Sequence, residues 1–291
     1  MAHQKSLPYN FLGLPPELSS YDRSRFVVIP VAYAGTVSWH GGANLGPAAI
    51  IQASRYVEFF DIEIGRDTTG VGVHTLDELE PDARSPECVV RAVQSAVKKV
   101  RRDGKIPVVL GGEHTVSAGA VWAFGKSSDL TVLQLDAHLD LRESYQGSPF
   151  SHACAARLFT RNARVVPVGI RSASSEEYDF AKKHDITPFL ARDIHEGRDW
   201  ISEVVERLGP RIYITIDLDV FDSSLMGAVG TPEPGGLFWP QVTDLLAAAV
   251  KGRNVLGFDV VELAPCAGGH ACEFLAAKLV YRLMGLIGSA F

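Results

Sequence analysis

Two short runs, Asp136-Ala-His138-Leu-Asp140 and Asp217-Leu-Asp219, carry five side chains able to ligate a metal, all at alternate positions. In an extended segment, residues two apart project to the same side. Asp136, His138 and Asp140 can therefore face one point, and so can Asp217 and Asp219. Each run begins where an apolar, β-rich segment ends: residues 131–135 before the first, 212–216 before the second. Ligands of open α/β sheets bind just beyond the carboxyl ends of the strands, so both runs fall where a site is expected. Either run alone reads as an ordinary acidic loop. Together, set against apolar strands, they are costly unless paired or bound to metal. A third segment, Gly111-Gly112-Glu113-His114, follows the apolar run 106–110 and delivers another imidazole to the same edge, its glycines allowing a sharp turn.

The candidate ligands are His114, Asp136, His138, Asp140, Asp217 and Asp219: two imidazoles, four carboxylates and no thiolate. That donor set suits a moderately hard divalent ion, Mn²⁺ first, with Zn²⁺, Co²⁺ and Fe²⁺ behind it. Four carboxylates in a partly dry site raise one another's pKa, and a single divalent ion would leave the site strongly negative. Two ions balance the charge. They would also lower the pKa of a shared water and make hydroxide available near neutral pH. The expectation is a two-metal hydrolase holding two Mn²⁺ per chain.

Positioning such ligands requires strands that end at one edge. Strand-like and helix-like segments alternate along the chain, which predicts an α/β fold: a three-layer α/β/α sandwich with a mainly parallel sheet of about eight strands. The strand candidates are residues 25–32, 106–110, 131–135, 164–170, 186–190, 211–216 and 254–260, with one or two more early in the chain. A helix opens at Gly46-Pro47 and runs toward Phe59, and the last spans about Cys272 to Leu286. Ser85-Pro86 places a cap residue and an N1 proline ahead of Val89, Val90, Val93, Ala96, Val97 and Val100, which recur at helical spacing. No linker, low-complexity tract or repeat divides residues 1–291, so one domain is expected. A net charge of −6 argues against nucleic acid and anionic membranes as partners, and mildly favours a small cation. The four cysteines form no C-x-x-C pair, which suggests neither a zinc ribbon nor a disulfide framework. Met1 to Pro16 lacks a basic region followed by an apolar run, and no stretch approaches the ~18 apolar residues of a membrane span. A soluble, cytoplasmic protein is expected.

Taken in order, Gly-Gly-Glu-His114, Asp136-Ala-His-Leu-Asp140, Ser151-His152, Asp217-Leu-Asp219-Val-Phe-Asp222, Gly230-Thr-Pro-Glu-Pro-Gly-Gly236 and Gly257-Phe-Asp-Val-Val-Glu262 resemble the motif set of the ureohydrolases, the family of arginase and agmatinase. The resemblance runs from Gly35 and the segment 41–50 to the C-terminal helix. It is greatest to archaeal-type agmatinases, through residues 140–147, Ser151-His-Ala-Cys154 and the tail 273–282. It implies an arginase/deacetylase-like fold. His114, Asp136, Asp140 and Asp217 would hold one Mn²⁺, and Asp136, His138, Asp217 and Asp219 the other. It also implies attack of a metal-bridging hydroxide on a guanidinium carbon, releasing urea and an amine. Asp140 would pass a proton to the leaving amine, His152 would shuttle protons, and Glu262 would pair with the substrate guanidinium. The substrate tail would lie along residues 142–147.

The leading expectation is agmatinase activity on a small cationic guanidino substrate, agmatine to putrescine and urea, in a homo-oligomer, trimer or hexamer. The runner-up is hydrolysis of N1-aminopropylagmatine to spermidine, with guanidinobutyrate, arginine and formiminoglutamate further away. A non-catalytic metal-binding relative is the alternative of another class. The chain departs from the family pattern at Glu113, where Asp is common, at Ser223, where Pro is usual, and after Glu262, where the Asn-Pro of arginases is absent. Asp222 and Asp259 fall off the alternation of the ligand runs and are expected to be structural. His3, His40, His74, His184, His195 and His270 are expected to be structural or solvated, and Cys154 a packed thiol.

Overall fold

A computed structural model of the chain describes residues 7–197 and 199–289. The reading of residues 1–6, including His3, lies outside them. The strands are β1 (Phe26–Val31), β2 (Phe60–Asp61), β3 (Arg66–Asp67), β4 (Val73–Thr75), β5 (Ile106–Gly111), β6 (Leu130–Leu135), β7 (Arg164–Ile170), β8 (Phe189–Leu190), β9 (Arg211–Asp217) and β10 (Asn254–Val261). Eight of them form one sheet in the order β4-β1-β5-β10-β9-β6-β7-β8, while β2 and β3 make a small antiparallel hairpin. Neighbours in the main sheet pair in parallel. Its central strands are mostly apolar and buried along nearly their whole length, as expected where helices cover both faces.

The helices are α1 (Pro16–Ser19), α2 (Gly46–Ser54), α3 (Pro86–Arg102), α4 (Val116–Trp122), α5 (Ala155–Phe159), α6 (Ser175–Lys183), α7 (Ala191–His195), α8 (Trp200–Arg207), α9 (Trp239–Val250) and α10 (His270–Ser289). One core joins α2, α7, α8, α9 and α10 to one face of the sheet. A second joins α3, α4, α5 and α6 to the other face. The three-layer α/β/α expectation is met. In α3 the Ser85 hydroxyl caps the Cys88 N–H, Pro86 occupies the first turn, and the five predicted valines are buried against the sheet.

The predicted strand 186–190 shortens to Phe189–Leu190. Pro188 has no N–H to give a ladder, and β8 is an edge strand pairing only with β7. The helix from Gly46 ends at Ser54 rather than near Phe59. No described helix is long and apolar enough to cross a membrane.

Register then fixes the site. Parallel pairing sets Asp217 opposite Val261, and Leu135 opposite Ile216, so Asp136, Asp217 and Glu262 leave the sheet side by side. On the far side of β10, Leu110 pairs with Val260, which brings the turn after β5 level with them. Four adjacent central strands, β5, β10, β9 and β6, thus end together.

Candidate active site

All six predicted metal ligands converge at that edge. Ligand atoms of His114, Asp136 and Asp217 lie within 4.8 Å of one another, and so do those of Asp136, His138 and Asp219. Asp140 joins the first group, its Oδ2 lying 3.1 Å from His114 Nδ1. His114 Nδ1 is also 3.1 Å from Asp136 Oδ2 and 3.4 Å from Asp217 Oδ2. That nitrogen is completely buried and makes no hydrogen bond to any of the three. An orphaned imidazole nitrogen ringed by carboxylates is what a divalent cation would satisfy. His138 Nδ1 faces Asp219 Oδ2 at 2.8 Å and Asp136 Oδ1 at 3.7 Å. Asp136 is the carboxylate common to both clusters.

Backbone amides aim these oxygens. Asp136 Oδ1 accepts from His138 N–H at 2.6 Å, Asp217 Oδ1 from Asp219 N–H at 2.9 Å, and Asp219 Oδ1 from Ala137 N–H at 2.9 Å. Asp217 and Asp219 keep their other oxygen for the site, while Asp136 Oδ2 faces it and also accepts the Gln134 amide at 2.9 Å. Arg171 ties the neighbouring loops together by donating to the carbonyls of Asp219, Phe221, Glu233 and Pro234. Asp140 and Glu262 both adopt left-handed backbone, with φ of 51° and 67°. Such strain in non-glycine residues persists where surrounding structure enforces it, and it gathers at functional sites.

The electrostatics of the metal-free site carry the same signature. Burial opposes charge on His114 and His138, yet the facing carboxylates raise both, His138 to about 11. Burial, then Asp136, pushes Asp140 up to about 7. Burial also raises Asp217 and Asp136, with Asp219 adding to each. Asp219 alone falls, to about 2, because His138 outweighs its burial. Glu262 rises to about 8, from burial and from Glu113. Protons are standing where cations would neutralise the cluster.

His114, His138, Asp140, Asp217, Asp219 and Glu262 line a cleft of about 260 Å³ with His152, Arg142, Tyr145 and Glu113, and Asp136 lies buried behind it. Glu262 Oε1 accepts the His114 N–H at 2.6 Å, which orients the carboxylate. Burial, followed by His138, holds His152 down to about 4, so its imidazole is neutral near pH 7. Arg142 sits 3.5 Å from the buried Glu177, at the start of the expected tail-binding segment. Asp222 accepts the Ser224, Gly235 and Gly236 N–H groups, so it orders its loop as expected. His270 is not part of the cleft lining, and Cys154 is packed and buried.

Three residues at the site were not read as functional. Asp259, expected to be structural, is completely buried and accepts the Thr215 hydroxyl at 2.6 Å and the Tyr213 hydroxyl at 2.7 Å. Thr215 in turn lies 2.9 Å from His114 Nε2. The ring's far nitrogen is thereby held while Nδ1 faces the carboxylates. Thr215 could have been found by extending the alternation of Asp219 and Asp217 two residues back. Thr36, the third, bonds both Glu113 and His152.

Comparison with known proteins follows the same line. A sequence model of the arginase family matches residues 24–285. The chain belongs to the arginase family. It is 41% identical over 270 residues to the N(1)-aminopropylagmatine ureohydrolase of Thermus thermophilus, covering 92% of each chain. It is 33% identical over 285 residues to the agmatinase of Pyrococcus horikoshii, covering 96% of this chain and 99% of the relative. Among solved structures, the agmatine ureohydrolase of Thermoplasma volcanium superposes with a TM-score of 0.87 at 30% identity, over 98% of this chain and 96% of that one. Arginase-family ureohydrolases are hydrolases of guanidino C–N bonds, and metal dependence is a family property that the two clusters fit.

Proposed function

We propose that the chain is a Mn²⁺-dependent amidinohydrolase that cleaves an amine-tailed guanidino compound, N1-aminopropylagmatine or agmatine, into urea and a polyamine. The observation that carries this reading is the meeting of two His/Asp clusters at one shared, buried carboxylate, Asp136, beside a cleft that Glu262 also lines. The sequence favours agmatine first. The higher identity to the Thermus thermophilus ureohydrolase than to the Pyrococcus horikoshii agmatinase supports the aminopropyl derivative as the better substrate.

In this reading His114, Asp136, Asp140 and Asp217 hold one ion, and Asp136, His138, Asp217 and Asp219 the other. When bound, two divalent ions supply an acidified shared water and charge to stabilise the transition state. The chain's own groups do the rest. Glu262, with one oxygen fixed by the His114 amide, presents the other to the planar guanidinium and sets its orientation. Asp140, beside both the metal site and the cleft, would pass a proton to the leaving amine. His152, neutral and at the cleft wall, exchanges protons between this centre and solvent. A cytoplasmic homo-oligomer, trimer or hexamer, accompanies the proposal as an expectation from the family.

Urea measured after incubating Mn²⁺-loaded protein with these two compounds tests the proposal directly. Release from either supports it. Release from neither, with two ions bound, would favour a metal-binding protein without turnover.

A further inference from the structure

Thr36 joins two groups that the catalytic reading treats separately. The chain after β1 lies against the turn after β5 so closely that a Cβ on Gly112 would sit 1.9 Å from the Tyr33 carbonyl oxygen. Glu113 N–H donates to that same oxygen at 2.8 Å. The approach puts the Glu113 carboxylate on Thr36: Oε2 accepts the Thr36 N–H and Oε1 its hydroxyl, each at 2.7 Å. A hydroxyl has one proton to donate. With Glu113 as a carboxylate that proton points at Oε1, and what Thr36 Oγ1 offers elsewhere is acceptor capacity.

His152 uses it. The His152 backbone N–H donates to Thr36 Oγ1 at 3.1 Å, and ring Nδ1 lies 3.2 Å from the same oxygen. An unprotonated Nδ1 would set two lone pairs against each other with no proton between them. A proton on Nδ1 satisfies the Thr36 contact, and Ser151 Oγ, 3.3 Å from Nδ1 and able to donate or accept, is satisfied in either tautomer. Nε2, 3.4 Å from Ser38 Oγ in the cleft wall, then keeps its lone pair.

We propose that Thr36, oriented by Glu113, is a positioning residue that holds His152 in the Nδ1–H tautomer and leaves Nε2 as the nitrogen that exchanges the proton. The arrangement is a carboxylate orienting a histidine through an interposed hydroxyl, and it uses the longer side chain that stands at position 113. The role in turnover rests on reading His152 as the proton carrier; the tautomer does not.

The test is ¹⁵N NMR of histidine-labelled, metal-free protein at about pH 9, above the value of about 7 to which burial raises Glu113, with His152→Asn identifying the signal. Wild type and Thr36→Ser should show Nδ1–H, whereas Thr36→Val should show mixed tautomers. With Mn²⁺ content unchanged, Thr36→Val should lose about tenfold or more in kcat with little change in KM, and Thr36→Ser should restore it. Glu113→Gln, which turns an amide donor toward Thr36, should shift the tautomer in the same way. An Nε2–H signal in wild type, or a Thr36→Val protein with wild-type tautomer and kcat, would overturn the proposal. A His152→Asn enzyme with wild-type kcat would overturn instead the proton-carrying role on which its catalytic half depends.

Discussion

Asp136→Asn is the substitution that separates a two-ion centre from a cluster of protonated acids. Asp136 is the carboxylate shared by the two clusters, and its side chain is completely buried. Its Oδ1 already accepts the His138 N–H at 2.6 Å, and Oδ2 accepts the Gln134 amide at 2.9 Å. An asparagine amide must turn its NH₂ toward one of these donors, so one contact becomes donor against donor. The larger effect is charge. A unit charge pair about 4 Å apart is worth about 4 kcal/mol at an effective dielectric of about 20, and a divalent ion doubles that. If half is recovered through the remaining oxygen and through relaxation, each ion still binds about 10³-fold more weakly, at 1.4 kcal/mol per decade. The assay is metal content after dialysis against a weak chelator, read beside the rise in Tm on adding Mn²⁺. Wild type should retain two ions per chain and the variant close to none, with the apo proteins melting within a few degrees of each other. Two ions retained at wild-type affinity in Asp136→Asn would refute the shared-ligand geometry.

His152→Asn should keep both ions and lose about 10²–10⁴-fold in kcat, because a proton carrier contributes rate and not metal affinity; loss of metal would return His152 to a structural role. Glu262→Gln must give its amide oxygen to the His114 N–H and turn NH₂ toward the guanidinium, so kcat/KM should fall about 10²–10³-fold on every guanidino substrate alike. A loss confined to one substrate would move the guanidinium site elsewhere. Stability of the metal-free protein should depend on pH with a defined sign. Asp140, raised to about 7 from 3.8, and Glu262, raised to about 8 from 4.5, contribute stability that is complete below their unfolded values and lost as pH rises through 7 to 8. His138, raised to about 11, acts in the same sense at higher pH. Calorimetry should therefore give a lower apo Tm at pH 9 than at pH 6 and a larger Mn²⁺-induced increase at the higher pH, since bound metal replaces those protons. An apo Tm that climbs from pH 6 to pH 9 would contradict the electrostatics described above.

Much of this site was legible because its candidate ligands lie in short runs tied to strand ends. Alternation within Asp136-Ala-His138-Leu-Asp140 and Asp217-Leu-Asp219, together with apolar strands before them, placed five ligands on one edge without knowledge of strand order. His114 followed from the glycine turn after β5. What could not be read was which strands are neighbours, because parallel pairings join segments far apart in the chain. Asp259 shows the consequence: its partners Thr215 and Tyr213 are more than forty residues away, so its place behind Thr215 and His114 could not be read from the sequence. Thr36 was missed for the same reason, since Glu113 and His152 come from two other segments and meet it only in the folded chain. The strand at 186–190 was overextended because apolar content alone does not register the proline that restricts an edge strand to two residues.

The central claim is hydrolysis of an amine-tailed guanidine, and urea release by Mn²⁺-loaded protein across N1-aminopropylagmatine, agmatine and arginine tests it most directly. Arginine carries an α-carboxylate that neither amine-tailed compound has, and residues 140–147 resemble the corresponding loop of agmatinases and not that of arginases. A buried polar group left unpaired reduces kcat/KM by about 10²-fold or more, so one of the two amine-tailed compounds should exceed arginine by at least that factor. Comparable rates with arginine would contradict the substrate assignment, and absence of urea from all three compounds with both ions bound would contradict the account at its centre.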